Sequence, residues 1–134
     1  MILSNQLDAL RAHCVREGAT NVQGEMLPNG GMLITVDGVD LGPGWNREKA
    51  TVLFLAPPGY PAAQPDCFWV QPNGLRLENG TTPEASNDSN PIPGDTMAGR
   101  SATWFSWHLS SWNPGHDTMV TYFKVIMNRL KPAR

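Results

Sequence analysis

The spacing of apolar residues near the start of the chain predicts a first helix. The apolar residues at helical spacing are Leu3, Leu7, Leu10 and Cys14. Charged residues lie mostly off this stripe, as in a helix that packs one face against a core. Ser4 has the side chain of an N-cap, and Gly18 is typical of a residue that ends a helix. We therefore expect an amphipathic helix from Ser4 to Glu17.

A second helical stripe lies near the end of the chain. Its main positions are Met119, Phe123, Ile126 and Leu130. Asn113 followed by Pro114 has the residue types of an N-cap and a first helical position, so we expect the last helix to begin there. His116 and Asp117 would then lie in its first turn, where a carboxylate is favourable because of the helix dipole.

Between these helices, extended runs alternate with turn-forming sequences rich in Gly, Pro and Asn. The runs cover residues 21–27, 32–41, 50–55 and 67–70. They predict an antiparallel four-stranded meander. Asp37-Gly38 indicates a hairpin turn inside the second run, or equally a bulge or a strand end.

From Pro72 to Arg100 the apolar pattern disappears, which predicts a long surface loop. A loop of this length in a compact domain is more often functional or mobile than decorative. The order of helix, meander, long loop and helix predicts an α+β fold with the C-terminal helix packed on the sheet.

Length and composition restrict the classes of function. With 134 residues, of which 40% are hydrophobic and 16% charged, the chain is expected to form a single domain over residues 1–134. It has no apolar run of the ~20 residues that a membrane span needs, and no signal-peptide pattern, so we expect a cytoplasmic protein without a membrane partner. The net charge of −2 and the scattered Lys and Arg argue against a nucleic-acid partner.

The cysteines restrict the chemistry further. Cys14 and Cys67 are the two cysteines of the chain, and neither lies in a spacing typical of metal ligands. We therefore expect no zinc site, no other cofactor and, in the cytoplasm, no disulfide.

Two segments carry more information than the rest of the chain. They are PPGYPAAQPDCFWVQP (57–72) and GRSATWFSWHLSSWNPGHD (99–117). The prolines of the first indicate a rigid crossing between two strands, because proline cannot donate to a central ladder. The aromatic residues of the second are expected to pack on the sheet rather than form a ligand platform, which leaves its hydroxyl and imidazole groups at the surface.

These segments carry a resemblance to the ubiquitin-conjugating (UBC) enzyme superfamily. Gly59-Tyr60-Pro61, followed by Pro65, resembles its Tyr-Pro motif, and Trp112-Asn113-Pro114 resembles its Trp-Ser-Pro motif. More narrowly, the segments similar to the bacterial UBC-like family called prokaryotic family E are 60–69, 99–108 and 112–117. The resemblance extends from about residue 5 to residue 131 and implies a UBC-like fold for nearly the whole chain.

The resemblance also implies partners and a setting. The implied partners are a ubiquitin-like protein, a ThiF-like activating enzyme and a JAB-type isopeptidase, in a bacterial modification system of a kind associated with antiphage defence. Such a protein would be a transferase that receives or positions the C-terminal tail of the modifier along the long loop and the segment from Ser101 to His108.

The sequence departs from the conjugating enzymes at their central residue. Their catalytic cysteine lies shortly before the Trp-Ser-Pro motif, where this chain has Thr103-Trp104-Phe105-Ser106. Cys14 is expected in the first helix and Cys67 in a strand, so neither takes its place. Two hypotheses remain open: transfer through a Ser or Thr oxyester instead of a Cys thioester, or a catalytically inactive scaffold that binds the activating enzyme and the modifier. An unrelated hydrolase is not favoured, because no Gly-x-Ser-x-Gly accompanies the serines.

Candidate catalytic residues follow from the oxyester hypothesis. The candidate nucleophiles are the hydroxyls of Ser106, Ser101 and Thr103. A hydroxyl is not ionised at neutral pH and needs a general base, for which His108, two residues after Ser106, is the candidate. The alternative for His108 is a partly buried histidine with a structural role.

Candidate partner-binding residues are Arg100, Trp45, Tyr60 and Trp112. Arg100 directly follows the long loop, where it would either bind a carboxylate or cap the loop. Trp45 is isolated in a turn-rich segment, which makes it a candidate exposed anchor for a partner.

Overall fold

Two helices and six strands form the described part of this computed structural model, residues 2–97 and 99–134. In chain order they are α1 (Ile2–Arg16), β1 (Asn21–Met26), β2 (Met32–Asp40), β3 (Lys49–Ala56), β4 (Phe68–Gln71), β5 (Ser86–Asn87), β6 (Thr103–Phe105) and α2 (Met119–Leu130). The expected α+β class is confirmed. Neither helix among the described residues is long and apolar enough to cross a bilayer.

All strands belong to one antiparallel sheet in the order β1-β2-β3-β4-β6-β5. Strands β1 to β4 follow the predicted meander, with bounds that differ from the predicted runs by one residue or less. The register of β2 against β3 shifts between Val36 and Val39, so Asp37-Gly38 forms a bulge rather than a hairpin turn. Gly38 has a φ of 73°, a left-handed backbone that favours glycine.

Strands β5 and β6 extend the predicted four-stranded sheet. They contain two and three residues, too few to show a period of two, and they lie in or just after the segment predicted as a long loop. The pairing of β6 with β4 stabilises them, and such a contact between distant segments has no local sequence signal.

The predicted helix starts are wrong at both ends of the chain. Helix α1 is already formed at Ile2, so Ser4 lies inside the helix and is not its N-cap. Helix α2 begins at Met119, and its N-cap is Thr118. Thr118 and Thr121 form a capping box, in which each side-chain oxygen accepts a hydrogen bond from the backbone N–H of the other.

Asn113 closes a separate turn ahead of α2. Its side-chain oxygen accepts from the N–H of Gly115 at 2.9 Å, and its backbone carbonyl accepts from the N–H of Asp117 at 2.8 Å. His116 and Asp117 therefore precede the helix instead of occupying its first turn. The Asn-Pro pair has the same local preference in a turn as at a helix start, which explains the misplaced boundary.

The sheet buries apolar side chains on both faces. The main core lies between one face and the two helices, and its largest fully buried apolar side chains include Phe54, Phe68, Phe105 and Tyr122. A smaller cluster lies on the opposite face, where Trp69 packs with Ile92 and Ala102. Ile92 belongs to the long loop, so the loop covers this face of the sheet instead of lying only at the surface.

A polar network fixes the long loop to β6. The Arg76 guanidinium donates to Asp88 at 2.5 Å, and the Thr103 hydroxyl donates to the same carboxylate at 2.7 Å. The N–H of Gly74 also donates to Asp88, at 3.1 Å. The Arg76 side chain, with smaller contributions from Thr103 and Gly74, lowers the pKa of Asp88 to about 2.

We predict that Asp88→Asn destabilises the protein in a pH-dependent way. Because the folded-state pKa of Asp88 lies below its ordinary value of 3.8, its charge stabilises the fold above that pH, and the contribution is lost as the pH falls toward 2. Partial exposure to solvent limits the loss at neutral pH to about 1 kcal/mol. Urea unfolding at pH 6 should show that the free energy of unfolding of the variant is lower than that of the native protein by this amount. The difference should narrow between pH 4 and pH 2.

Asp8→Asn is the matched control for this measurement. Asp8 pairs with Arg11 at 2.9 Å on the exposed surface of α1, where an ion pair contributes little. Equal effects of the two substitutions at pH 6 would contradict the role assigned to Asp88.

Candidate active site

The pairing of β4 with β6 brings the two informative segments side by side. Phe68 is the register partner of Phe105. One residue earlier, the N–H of Cys67 donates to the carbonyl of Trp107 at 3.2 Å, which continues the contact beyond the ladder. On the other side, the N–H of Ser106 donates to the carbonyl of Ala85 at 2.8 Å. The backbone around Ser106 is therefore held between two neighbouring segments.

Ser106, His108 and Asp66 form a continuous chain of polar contacts. The Oγ of Ser106 lies 3.3 Å from Nε2 of His108, and Nδ1 of His108 lies 2.5 Å from Oδ1 of Asp66. A carboxylate can only accept, so Nδ1 carries the proton in this pair when the imidazole is neutral. Nε2 is then free to accept the hydroxyl proton of Ser106, as in a serine, histidine and carboxylate triad.

The His108–Asp66 pair is open to solvent. Their side chains are 61% and 55% exposed. The imidazole of His108 is therefore accessible from solvent without any opening of the fold. The structural alternative for His108, a partly buried histidine, is not supported by this exposure.

Asp66 is the residue in this series of contacts that was not identified from the sequence. It directly follows Pro65 in the Tyr-Pro segment, but it lies 42 residues before His108. The neighbouring residue Cys67 is also close: ligand atoms of Asp66, Cys67 and His108 all lie within 4.8 Å of one another. Cys67 is 8% exposed, and burial raises the pKa of its thiol.

Asp66 lines a groove on the surface of the protein. It has a volume of about 230 Å³, and its lining includes Pro57, Pro58, Trp69 and, from the long loop, Pro93. Its walls are largely apolar, and Asp66 lies among the lining residues.

Thr103 occupies a structural position. It is fully buried, and its hydroxyl donates to Asp88 while accepting from the N–H groups of Gly74 at 3.1 Å and Leu75 at 3.0 Å. These contacts occupy the hydroxyl and exclude solvent, so the geometry offers no path for an acyl group to reach it.

Ser101 and Arg100 lie at a different place from Ser106. They line a separate groove of about 500 Å³ together with Gln71, whose amide donates to the Ser101 carbonyl at 3.1 Å. Arg100 pairs with Asp95 at 2.7 Å, and both side chains are about 10% exposed. Of the two expectations for Arg100, this ion pair supports loop capping.

Tyr60 and Trp112 join the two motifs that resemble those of the UBC enzymes. Their ring centroids lie 5.9 Å apart, and the Trp112 indole N–H donates to the carbonyl of Pro61 at 2.7 Å. The Tyr60 hydroxyl donates to the side chain of Gln6 in α1. Burial, with a smaller effect of the Asp117 charge, raises the pKa of Tyr60 to about 12, so the hydroxyl stays protonated.

Trp45 is not the exposed anchor that the sequence predicts. It is 6% exposed, its indole N–H donates to the carbonyl of Leu130 at 2.9 Å, and its ring contacts Phe105 edge to face. The expectation is wrong because the turn-rich segment folds back over the end of α2, a contact between residues 85 positions apart.

We predict that Thr103→Val destabilises the fold by about 2–4 kcal/mol, because it leaves the buried N–H of Leu75 without its acceptor and removes a hydrogen bond to the Asp88 carboxylate. Thr103→Ser keeps the hydroxyl and should lose only the ~1 kcal/mol of one methyl group. Urea unfolding of both variants at neutral pH measures the difference. Equal unfolding midpoints for the two variants would contradict the structural role of the hydroxyl.

Comparison with known families gives one result that bears on this site. The family model described as Prokaryotic E2 family E matches residues 19–133. No curated protein and no solved structure gives a significant match. The matched span includes the complete sheet, the long loop, the Ser106–His108–Asp66 chain and α2. The resemblance inferred from the motifs is therefore confirmed: the chain belongs to prokaryotic E2 family E, a bacterial family of ubiquitin-conjugating-like proteins.

Proposed function

We propose that this protein is a transferase that accepts the C-terminal carboxyl group of a ubiquitin-like protein on Ser106, as an oxyester. The acyl group would come from a ThiF-like activating enzyme, and a JAB-type isopeptidase would reverse the final modification. Membership of an E2 family supports a ubiquitin-conjugating-like role in general. The observation that carries the specific proposal is the contact chain from Ser106 Oγ through His108 to Asp66.

The chain of contacts supplies the proton transfer that an oxyester needs. Ser106 Oγ attacks the activated carbonyl carbon, forming the C–O bond, while its proton moves to Nε2 of His108. The bond between that carbon and the leaving group of the donor then breaks, and His108 returns the proton to the leaving group. Asp66 holds the imidazole in the required tautomer and stabilises its protonated form in between.

The other candidate nucleophiles are less suited to this reaction. Thr103 is buried with its hydroxyl fully engaged, and Ser101 lines a groove that includes neither Ser106 nor His108. Cys67 is near the imidazole, but it is 8% exposed and burial raises the pKa of its thiol. A buried thiol with a raised pKa is a poor nucleophile at neutral pH.

The groove that Asp66 lines is the proposed path of the modifier's tail. Pro57, Pro58 and Pro93 form rigid walls, and Trp69 contributes apolar surface. An extended peptide that lies between these walls would bring its terminal carboxyl group to the His108–Asp66 pair. The long loop would contribute to this path through Pro93.

We predict that Ser106→Ala abolishes the covalent adduct. The native protein is mixed with a ubiquitin-like protein and a ThiF-like activating enzyme from the same genome, and with ATP, and products are separated by denaturing electrophoresis. The expected adduct survives reducing agent and is cleaved by mild hydroxylamine or base, as an ester is. An adduct of unchanged yield in Ser106→Ala would refute the assignment of the nucleophile.

Matched variants separate the proposed roles. Ser101→Ala and Ser110→Ala change exposed serines outside the Ser106–His108–Asp66 contacts and should leave the adduct in place. His108→Gln should slow adduct formation by roughly a hundredfold through loss of the general base, whereas His116→Gln should not. An adduct that reducing agent cleaves and Cys67→Ala abolishes would instead identify a thioester on Cys67.

A scaffold without chemistry is the second candidate, and specific observations favour it. The N–H of Ser106 already donates to Ala85, so it is not available to stabilise an oxyanion. The Ser106–His108 contact of 3.3 Å is also longer than most O–H···N hydrogen bonds. Tight binding of the modifier and the activating enzyme without any adduct would select this function.

A further inference from the structure

The cluster at the end of β4 contains three kinds of metal-binding atom. They are a carboxylate oxygen of Asp66, the thiol sulfur of Cys67 and a ring nitrogen of His108. All lie within 4.8 Å of one another, and this is the one such group among residues 2–97 and 99–134. The expectation of no zinc site considered spacing along the chain, whereas this cluster joins residues that are 42 positions apart.

The backbone fixes the direction of the Cys67 side chain. Cys67 has a φ of 61°, a left-handed conformation that costs energy for a residue other than glycine. Two hydrogen bonds hold it there: its N–H donates to Trp107, and its carbonyl accepts from the buried Tyr122 hydroxyl at 2.8 Å. The thiol is therefore aimed at the cluster by contacts with the segment that follows β6 and with α2.

The donor set fits zinc better than the other common divalent cations. Sulfur, imidazole nitrogen and carboxylate oxygen are the three ligand types of Zn²⁺ in proteins, whereas Mg²⁺ and Ca²⁺ take oxygen ligands. Three protein ligands leave a fourth position for water, and the exposure of Asp66 and His108 gives solvent access to it. The remaining nitrogen of His108 faces Ser106 Oγ, the type of outer contact that orients a ligating histidine.

We infer that Asp66, Cys67 and His108 form a binding site for a zinc-like divalent cation, with His108 ligating through Nδ1. On binding, the thiol releases its proton to solvent, and the imidazole proton moves from Nδ1 to Nε2. The exposed side chains of Asp66 and His108 must separate slightly from their 2.5 Å contact to admit the ion.

Occupancy has a consequence for Ser106, and this part rests on the proposed function. A metal on Nδ1 leaves the proton on Nε2, which then donates to Ser106 and cannot accept its proton. Zinc would also take Asp66 away from the imidazole. Bound metal therefore suppresses oxyester formation, and the two uses of the cluster exclude each other.

The first test is direct binding to the full chain, without any activity. Co²⁺ is titrated as a spectroscopic substitute, and Zn²⁺ is then added in competition. We expect one Co²⁺ per chain, a thiolate-to-cobalt charge-transfer band in the near ultraviolet, and loss of the band when Zn²⁺ displaces Co²⁺. Cys67→Ala should remove the band, while Cys14→Ala, which removes the other free thiol, should retain it.

Variants of the two exposed ligands test the site without altering the buried core. Asp66→Asn and His108→Gln alter half-exposed side chains, and each should weaken Co²⁺ binding by roughly tenfold or more. The control is His13→Gln, beside Cys14 in α1, which should leave Co²⁺ binding unchanged. Binding without a charge-transfer band, or binding that none of the three ligand variants weakens, would overturn the inference, as would the absence of any Co²⁺ binding.

The second test measures the adduct with zinc and with a chelator. We expect the yield of the hydroxylamine-sensitive adduct to fall at least tenfold when Zn²⁺ saturates the site and to recover with the chelator. Metal binding without any adduct under chelator would refute the proposed function and leave the metal site in place. An adduct on Ser106 in a protein that binds no metal would refute the metal site and leave the proposed function in place.

Discussion

The pairing of β6 with β4 is the constraint on which the candidate site depends. Only three residue pairs form this ladder, from Phe68–Phe105 to Val70–Thr103. At one end it continues into the hydrogen bond from Cys67 to Trp107, which places Asp66 beside His108. At the other end, Thr103 binds Asp88 and the backbone at Gly74, so the same short strand also fixes the long loop.

A buried cation supports this strand from the helix side. Arg129 of α2 is 1% exposed, and its guanidinium lies 4.9 Å from the centroid of Phe105 and 5.4 Å from that of Trp107. It donates to the carbonyl of Glu84 at 2.7 Å, next to the residue that accepts from Ser106. Burial lowers the pKa of Arg129, and aromatic faces and main-chain carbonyls take the place of a counterion. One side chain thereby holds the segments on both sides of Ser106.

The cluster of Asp66, Cys67 and His108 would support two kinds of chemistry, because Nδ1 of His108 has a different partner in each kind. With a proton on Nδ1, His108 connects Ser106 to Asp66 and would act as the base of the proposed reaction. With a metal on Nδ1, the same ring connects Ser106 to a site that includes Cys67. The cysteine that the conjugating enzymes need for thioester transfer is missing from its usual segment, and a different cysteine lies beside the imidazole that contacts the hydroxyl we propose in its place.

The sequence alone determined the elements with a local signal. Apolar periodicity identified α1, strands β1 to β4 and α2, because side-chain burial repeats within a few residues along each of them. The pairing of Ser106 with His108 was accessible for the same reason, since they lie two positions apart. The start of α2 could not be identified in this way, because Asn113-Pro114 has similar preferences in a turn and at a helix N-terminus.

Tertiary structure decided which candidates can meet. The burial of Trp45 and Thr103 and the arrival of Asp66 and Cys67 at His108 all depend on contacts between distant segments. Strands of two and three residues and a loop that covers one face of the sheet leave no period in the sequence. Local residue preferences therefore fixed the scaffold and the hydroxyl–imidazole pair, whereas long-range strand pairing selected the carboxylate and the thiol beside it.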